Sequence, residues 1–230
     1  LITVLLSGER ASFILFVFQI IIFFILSKRL RNFFKFSLIF CILIGSIFMY
    51  FDPISKGRMI TQTMDNFKGT TSLIKKKYII SEVHEKHFVG AWKIFLDNKI
   101  FGAGLKGYRY ECYNNKKYNN DEDIICSSHP HNTLMQFISE LGITGTLFYI
   151  TIFSYVCWNL IIFFSRIYFK KDEPTRDDEI KMLAYLSFFI TLWPLTTSGS
   201  FFNNWLSIIY YLPLFLILKD YKNISNEKNN

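Results

Sequence analysis

The densest reactive chemistry in the chain is His129-Pro130-His131-Asn132, which stands just ahead of an uncharged run beginning at Leu141. An imidazole titrates near neutral pH, so it serves as a base or as a hydrogen-bond donor to a reacting oxygen. Pro130 favours a first helical turn, and Ser127 or Ser128 is at hand as the capping side chain. A helix is therefore expected to start near His131. Free N–H groups and the helix dipole at such an end favour an anion. Gly142, Gly145 and Thr146 place small residues at three- and four-residue spacing, which suits close helix packing. Glu140, in the same stretch, is costly at membrane depth unless it faces protein or water.

Other residues widen the choice of chemistry. His84 and His87 are three apart on an expected helix, and with His129 and His131 they make four imidazoles. Such a set can hold zinc and support hydrolysis, although no carboxylate is clearly paired with it. Arg10, in Ser7-Gly8-Glu9-Arg10, is aimed at a phosphate through its bidentate fork; the other reading is an interfacial ion pair between Glu9 and a neighbour. Gly102, Gly104 and Gly107, in KIFGAGLKGYRYEC, permit a tight turn and close backbone approach to a ligand. A plain surface turn is the other reading.

These residues need elements to carry them, and the composition says which. The chain is 51% hydrophobic with 26 phenylalanines among 230 residues, more than a soluble domain needs. The apolar residues cluster in uncharged runs at 11–27, 36–51, 141–165 and 182–218, the last 37 residues long. A helix needs roughly 20 apolar residues to cross about 30 Å of hydrocarbon. The expectation is an all-α integral membrane protein, a multi-span helical bundle of about five spans, with residues 36–51 a little short and 182–218 crossing twice. The first six residues, LITVLL, read as the tail of an earlier span, so the chain is expected to be the C-terminal part of a longer one.

The net charge of +8 does not indicate a nucleic-acid partner, because its distribution follows the membrane. Lys28, Arg29, Arg31 and Lys35, then Arg166, Lys170, Lys171, Arg176 and Lys181, then Lys219, Lys222 and Lys228 occupy alternate connections. Short loops rich in Lys and Arg stay inside. The uncharged connection at 196–204 and the long loop 52–131 then face outside, and 219–230 is an inner tail. A transporter remains an alternative, but its spans would carry charge; here the polar groups gather at the outer face.

Within the outer loop, residues 56–77 read as a mobile connection. Residues 81–97 place Phe88, Ala91, Trp92 and Phe95 at helical spacing, an amphipathic helix suited to the outer membrane surface. Cys112 and Cys126 both lie in this loop, on an oxidising side. A disulfide between them is worth roughly 3 kcal/mol by chain entropy; two free thiols are the alternative. The residues between them, YNNKKYNNDEDII, read as an exposed turn.

Taken together, these motifs resemble the O-antigen ligase and polymerase superfamily of bacterial inner membranes. Its ligases carry His-Asn, nine residues, then Gly-x-x-Gly, matched here by His131-Asn132 and Gly142-Ile-Thr-Gly145. SGER resembles the family's arginine-bearing motif at a periplasmic span end, and AWKIFLDNKIFGAGLKGYR resembles its Trp…Pro-Leu-Phe-Gly-x-Gly segment, with Asn98-Lys99 where Asp/His-Pro is common. The resemblance covers about residues 1–155. It implies a metal-independent, inverting glycosyltransferase without a cofactor. That enzyme takes a glycan from undecaprenyl diphosphate, within the membrane lipid, and joins it to an acceptor glycan, either lipid A core or a growing polysaccharide. By resemblance His131 is catalytic and Arg10 holds the diphosphate, with His129 and Asn132 beside it as substrate-binding residues. The family's second arginine has no counterpart before Trp92. Lys86, His87 or Arg109 takes that contact instead. Polymerases and protein-glycosylating relatives share these motifs, and the His-Asn spacing favours a ligase.

Overall fold

The computed structural model describes residues 10–27, 31–61, 64–65, 81–169 and 174–218. Among the described residues every regular element is helical. The chain divides into two compact units, residues 1–81 with 167–174, and residues 82–166 with 175–230.

In the first unit, α1 (Arg10–Leu26) and α2 (Arg31–Phe51) lie against each other. Phe23 is buried, with its ring centroid 4.4 Å from that of Phe34. The second helix reaches 21 residues because it extends back over Arg31 and Lys35, which removes the shortfall of the uncharged run 36–51. Asp52 then caps the short α3 (Pro53–Lys56) by accepting from the Ile54 N–H at 3.0 Å, and Pro53 opens the turn where no N–H is needed. Most of the expected mobile connection, residues 62–63 and 66–77, lies outside the described residues.

The second unit contains α4 (Glu82–Asp97), α5 (Gly107–Asn114), α6 (Lys116–Asn119), all but the last two residues of α7 (Thr133–Tyr168), α8 (Arg176–Thr191) and α9 (Asn204–Leu218). A core of Ala91, Ile94, Tyr108, Cys112, Tyr118 and Ile124 joins α4 to the segment that follows it. The amphipathic face of α4 therefore differs from expectation. His87, Gly90, Ala91 and Ile94 are buried, whereas Trp92 is 47% exposed. Gly90 allows this approach, since a Cβ there would lie 3.0 Å from Ile124. Residues 113–125 are likewise not a simple exposed turn, for they insert Tyr118 and Ile124 into that core. Lys93 pairs with Asp121 at 2.5 Å, and Asp97 accepts from both Lys117 and Tyr118. The Lys117 bond, then the Tyr118 bond, holds the Asp97 carboxyl below the usual carboxylate range. Cys112 and Cys126 are disulfide-bonded, with Cα atoms 5.5 Å apart.

The uncharged run 182–218 falls into two helices, α8 and α9, separated by residues 192–203. A capping box between Thr175 and Asp178 starts α8 at Arg176, well before the uncharged run. Phe153 of α7 stacks on Phe189 of α8 with centroids 5.6 Å apart, and the Tyr149 hydroxyl donates to the Leu192 carbonyl. By length and composition two described helices, α2 and α7, suffice to cross a membrane, and α1 is a shorter apolar helix. Within the described residues α8 and α9 have 16 and 15 residues, below the roughly 20-residue mark.

Candidate functional site

The site is built around the turn that feeds α7. Residues 124–130 run in without regular structure, and Pro130 disfavours a helical conformation at the residue before it. The chain reverses into the helix at His131, whose φ is +54°. That left-handed conformation is uncommon outside glycine, with histidine among the residues that adopt it more readily, and it recurs at functional sites. The helix begins at Thr133, so Pro130 is not its first residue and neither serine is its cap. Asn132 is the cap, its Oδ1 accepting from the Met135 N–H at 2.9 Å. Ser127 and Ser128 hold His129 instead: Ser127 Oγ donates to the His129 carbonyl at 2.5 Å, and Ser128 Oγ stands 2.9 Å from His129 Nδ1.

All four histidines of the chain meet here. Ring centroids of His131 lie 4.1 Å from His129, 5.0 Å from His87 and 5.5 Å from His84. No three His, Cys, Asp or Glu side chains among the described residues converge in a metal-holding arrangement. His87 is buried, and its Nδ1 donates to the Ile125 carbonyl at 2.6 Å. Burial lowers the His87 pKa, and burial with the neighbouring His87 lowers that of His129. His131 shows the largest effect: burial first, then the charges of His129, His87 and His84, pulls it down to about 4. The group is neutral at physiological pH and keeps a lone pair for a proton.

A wall that the sequence reading did not single out stands beside His131. The Ser198 N–H donates to the His131 carbonyl at 2.8 Å. Asn132 Nδ2 donates to the carbonyls of Pro194 and Thr196 at 2.8 and 2.9 Å. Thr133 Oγ1 lies 2.9 Å from Ser198 Oγ, and Gln136 bonds both Ser200 Oγ and the Phe201 N–H. Asn132 is thus occupied with capping the helix and gripping residues 194–196. The only sequence signal for this wall was the uncharged, polar connection 196–204, which was placed on the same side as the histidines.

Gly142 does not lie on a continuous helical packing face. Its φ and ψ of 64° and −155° break α7 into two stretches. The glycine-rich segment 99–104 crosses at that break. Ile143 and Thr144 N–H groups donate to the Lys99 and Ile100 carbonyls at 2.8 and 3.2 Å, while Ala103 and Gly104 N–H groups donate to the Ser139 and Glu140 carbonyls at 2.9 Å. A Cβ on Gly142 would stand 2.5 Å from the Ile100 carbonyl oxygen, and one on Gly102 would collide with the Glu140–Leu141 backbone. A Cβ on Gly145 would strike Leu141. Gly104, with φ +87°, has open space around it. The close approach that Gly102 and Gly142 permit is to the chain's own backbone. Glu140 is fully buried and accepts from Gln136 Nε2 at 3.2 Å.

The remaining candidates are placed as follows. Lys86 pairs with Glu82 at 3.3 Å, and Arg109 is exposed on α5. Arg10 opens α1, but its side chain lies outside the described residues.

A family model described as O-antigen ligase matches residues 1–150, which include Arg10, all four histidines and both glycine motifs. No curated protein and no solved structure matches the chain.

Proposed function

The chain belongs to the O-antigen ligase family, a family of bacterial membrane proteins acting in glycan transfer, and on that premise we propose that it transfers a glycan from undecaprenyl diphosphate to an acceptor sugar hydroxyl at the periplasmic face of the inner membrane. The observation that carries this reading is a neutral His131, set in a left-handed turn among three other imidazoles. The acceptor oxygen forms a bond to the anomeric carbon as the bond from that carbon to the diphosphate breaks. Undecaprenyl diphosphate leaves with the electron pair, and His131 takes the hydroxyl proton. Attack from the face opposite the leaving group inverts the anomeric centre. Diphosphate is already a good leaving group, so the protein has to supply a positioned base and positive charge on the phosphates. Arg10 is proposed for that charge, with Lys86 or Arg109 as the second contact. His87 acts as a buried, neutral support for the His131 ring, and no metal takes part.

A base with a pKa of about 4 in the free protein is weak, and the substrate corrects this. A bound diphosphate beside the cluster favours the imidazolium and raises the pKa of His131. The acid limb of kcat/KM, which reports the free enzyme, therefore falls at lower pH than the limb of kcat, which reports the complex. Activity is lost as pH falls, because the neutral imidazole is the active form.

The test is complementation of a ligase-deficient bacterium with the full-length gene, native or His131→Ala, scored on gels of extracted lipopolysaccharide. The native protein should cap the lipid core, and the variant should lose about 10²–10⁴-fold in transfer. Polymerisation of lipid-linked repeats without capping of the core would assign the same site to a polymerase. Equal capping by the variant would remove His131 from the chemistry.

A further inference from the structure

The crossing at Gly142 has a consequence for the lipid around it. Upstream of the break, no residue from 131 to 142 is exposed. Downstream, Ile143, Leu147, Phe148 and Ile150 are 47–63% exposed. Residues 143–168 extend about 39 Å at about 1.5 Å per residue, some 9 Å more than the roughly 30 Å of hydrocarbon. The downstream stretch is therefore long enough to span the bilayer alone, which leaves Gly142 within about 9 Å of the hydrocarbon boundary.

Backbone groups freed by a helix break are expensive near hydrocarbon unless protein partners satisfy them. Here segment 99–104 supplies those partners through the four backbone bonds already described, so it is held at the depth of the break. Its outward side chains are apolar: Ile100 is 61%, Phe101 75% and Leu105 66% exposed. Around them Gly102, Ala103 and Gly104 carry no polar side chain, while Lys99 and Lys106 flank the apolar stretch on either side. This arrangement continues the exposed apolar face that begins at Ile143, whose N–H donates to the Lys99 carbonyl while the Thr144 N–H donates to that of Ile100.

We propose that residues 100–105 form a wedge inserted into the bilayer leaflet on the His131 side, with Phe101 deepest and Lys99 and Lys106 reaching the lipid phosphates. Long cationic side chains at such a boundary keep their charge in the headgroup layer while their stems lie along apolar surface. The partner is the phospholipid leaflet. The inference rests on the membrane placement of α7 and is independent of which glycan is transferred.

Site-directed spin labels test it in the full chain, reconstituted in phospholipid nanodiscs after Cys41→Ala and Cys157→Ala. Three proteins are compared that keep the Cys112–Cys126 disulfide and carry one free cysteine each, Phe101→Cys, Leu147→Cys and Asn119→Cys, at positions exposed in the native structure. Collision with oxygen reports lipid, and collision with a water-soluble nickel chelate reports solvent. The label at 101 should share the oxygen-rich ratio of the label at 147, inverted relative to 119. A nickel-rich label at 101 beside an oxygen-rich one at 147 overturns the wedge while leaving the span intact. A nickel-rich label at 147 removes the span itself and the wedge with it. Since 101 and 147 are both exposed, loss of folding does not enter these readings.

Discussion

Between Thr133 and Leu141 the interior of α7 is polar, with Thr133, Gln136, Ser139 and Glu140 all buried to 2% exposure or less. Beyond Gly142 the pattern turns over, and Leu147, Phe148, Trp158 and Ile161 are 59–64% exposed. One helical segment thus has two solvents. In the first half, Thr133 and Gln136 point inward to hydroxyls and a backbone N–H of residues 198–201, with Asn132 ahead of them gripping the carbonyls of 194 and 196. In the second, apolar side chains point outward, as hydrocarbon surroundings require. The lesson is that exposure has no fixed meaning along this chain; the glycine that divides the two halves also decides how a substitution on either side is felt.

Substitutions at the divide and in each half rank accordingly. Gly142→Ala puts a side chain into a backbone region that only glycine tolerates, and against the Ile100 carbonyl. Backbone strain and overpacking together cost about 4 kcal/mol. Reversible unfolding of the purified protein in detergent should show that loss, and a near-native variant would mean that the two halves are one continuous helix. Asn132→Ala comes next, at about 2–3 kcal/mol, because it deletes a helix cap and leaves two carbonyls without their donor. The same variant should lose transfer even at temperatures where it stays folded, as the wall beside His131 loosens. Leu147→Ala, on the lipid-facing half, should change stability by less than about 0.5 kcal/mol. A larger cost there would show that protein, not lipid, covers that face.

Much of this was readable from residue types alone. The His131-Asn132 and Gly142-x-x-Gly145 spacing, read as a family resemblance, matches a family shown over residues 1–150. Uncharged runs announced helices because hydrophobicity in a membrane chain is a property of a window. The roles of individual residues were less legible. Asn132 and Gly102 act through partners 62 and about 40 positions away in the chain, and no local pattern encodes a partner at that distance. The start of α7 was displaced by two residues because a proline before a histidine can open a helix or precede a left-handed turn, and only tertiary bonds to Ser198 select between them. The length of α8 escaped for another reason: its first turn is charged, and a capping box rather than hydrophobicity sets its beginning.

The grip of Asn132 on Pro194 and Thr196 also sets an order of manufacture. A ribosome releases His131 some sixty residues before the carbonyls that steady its neighbour, and domains fold largely as they emerge. The histidine cluster therefore waits, unfinished, until the chain beyond α8 has been made. A nascent protein interrupted after Thr191 carries every imidazole and still lacks the wall that Asn132 grips.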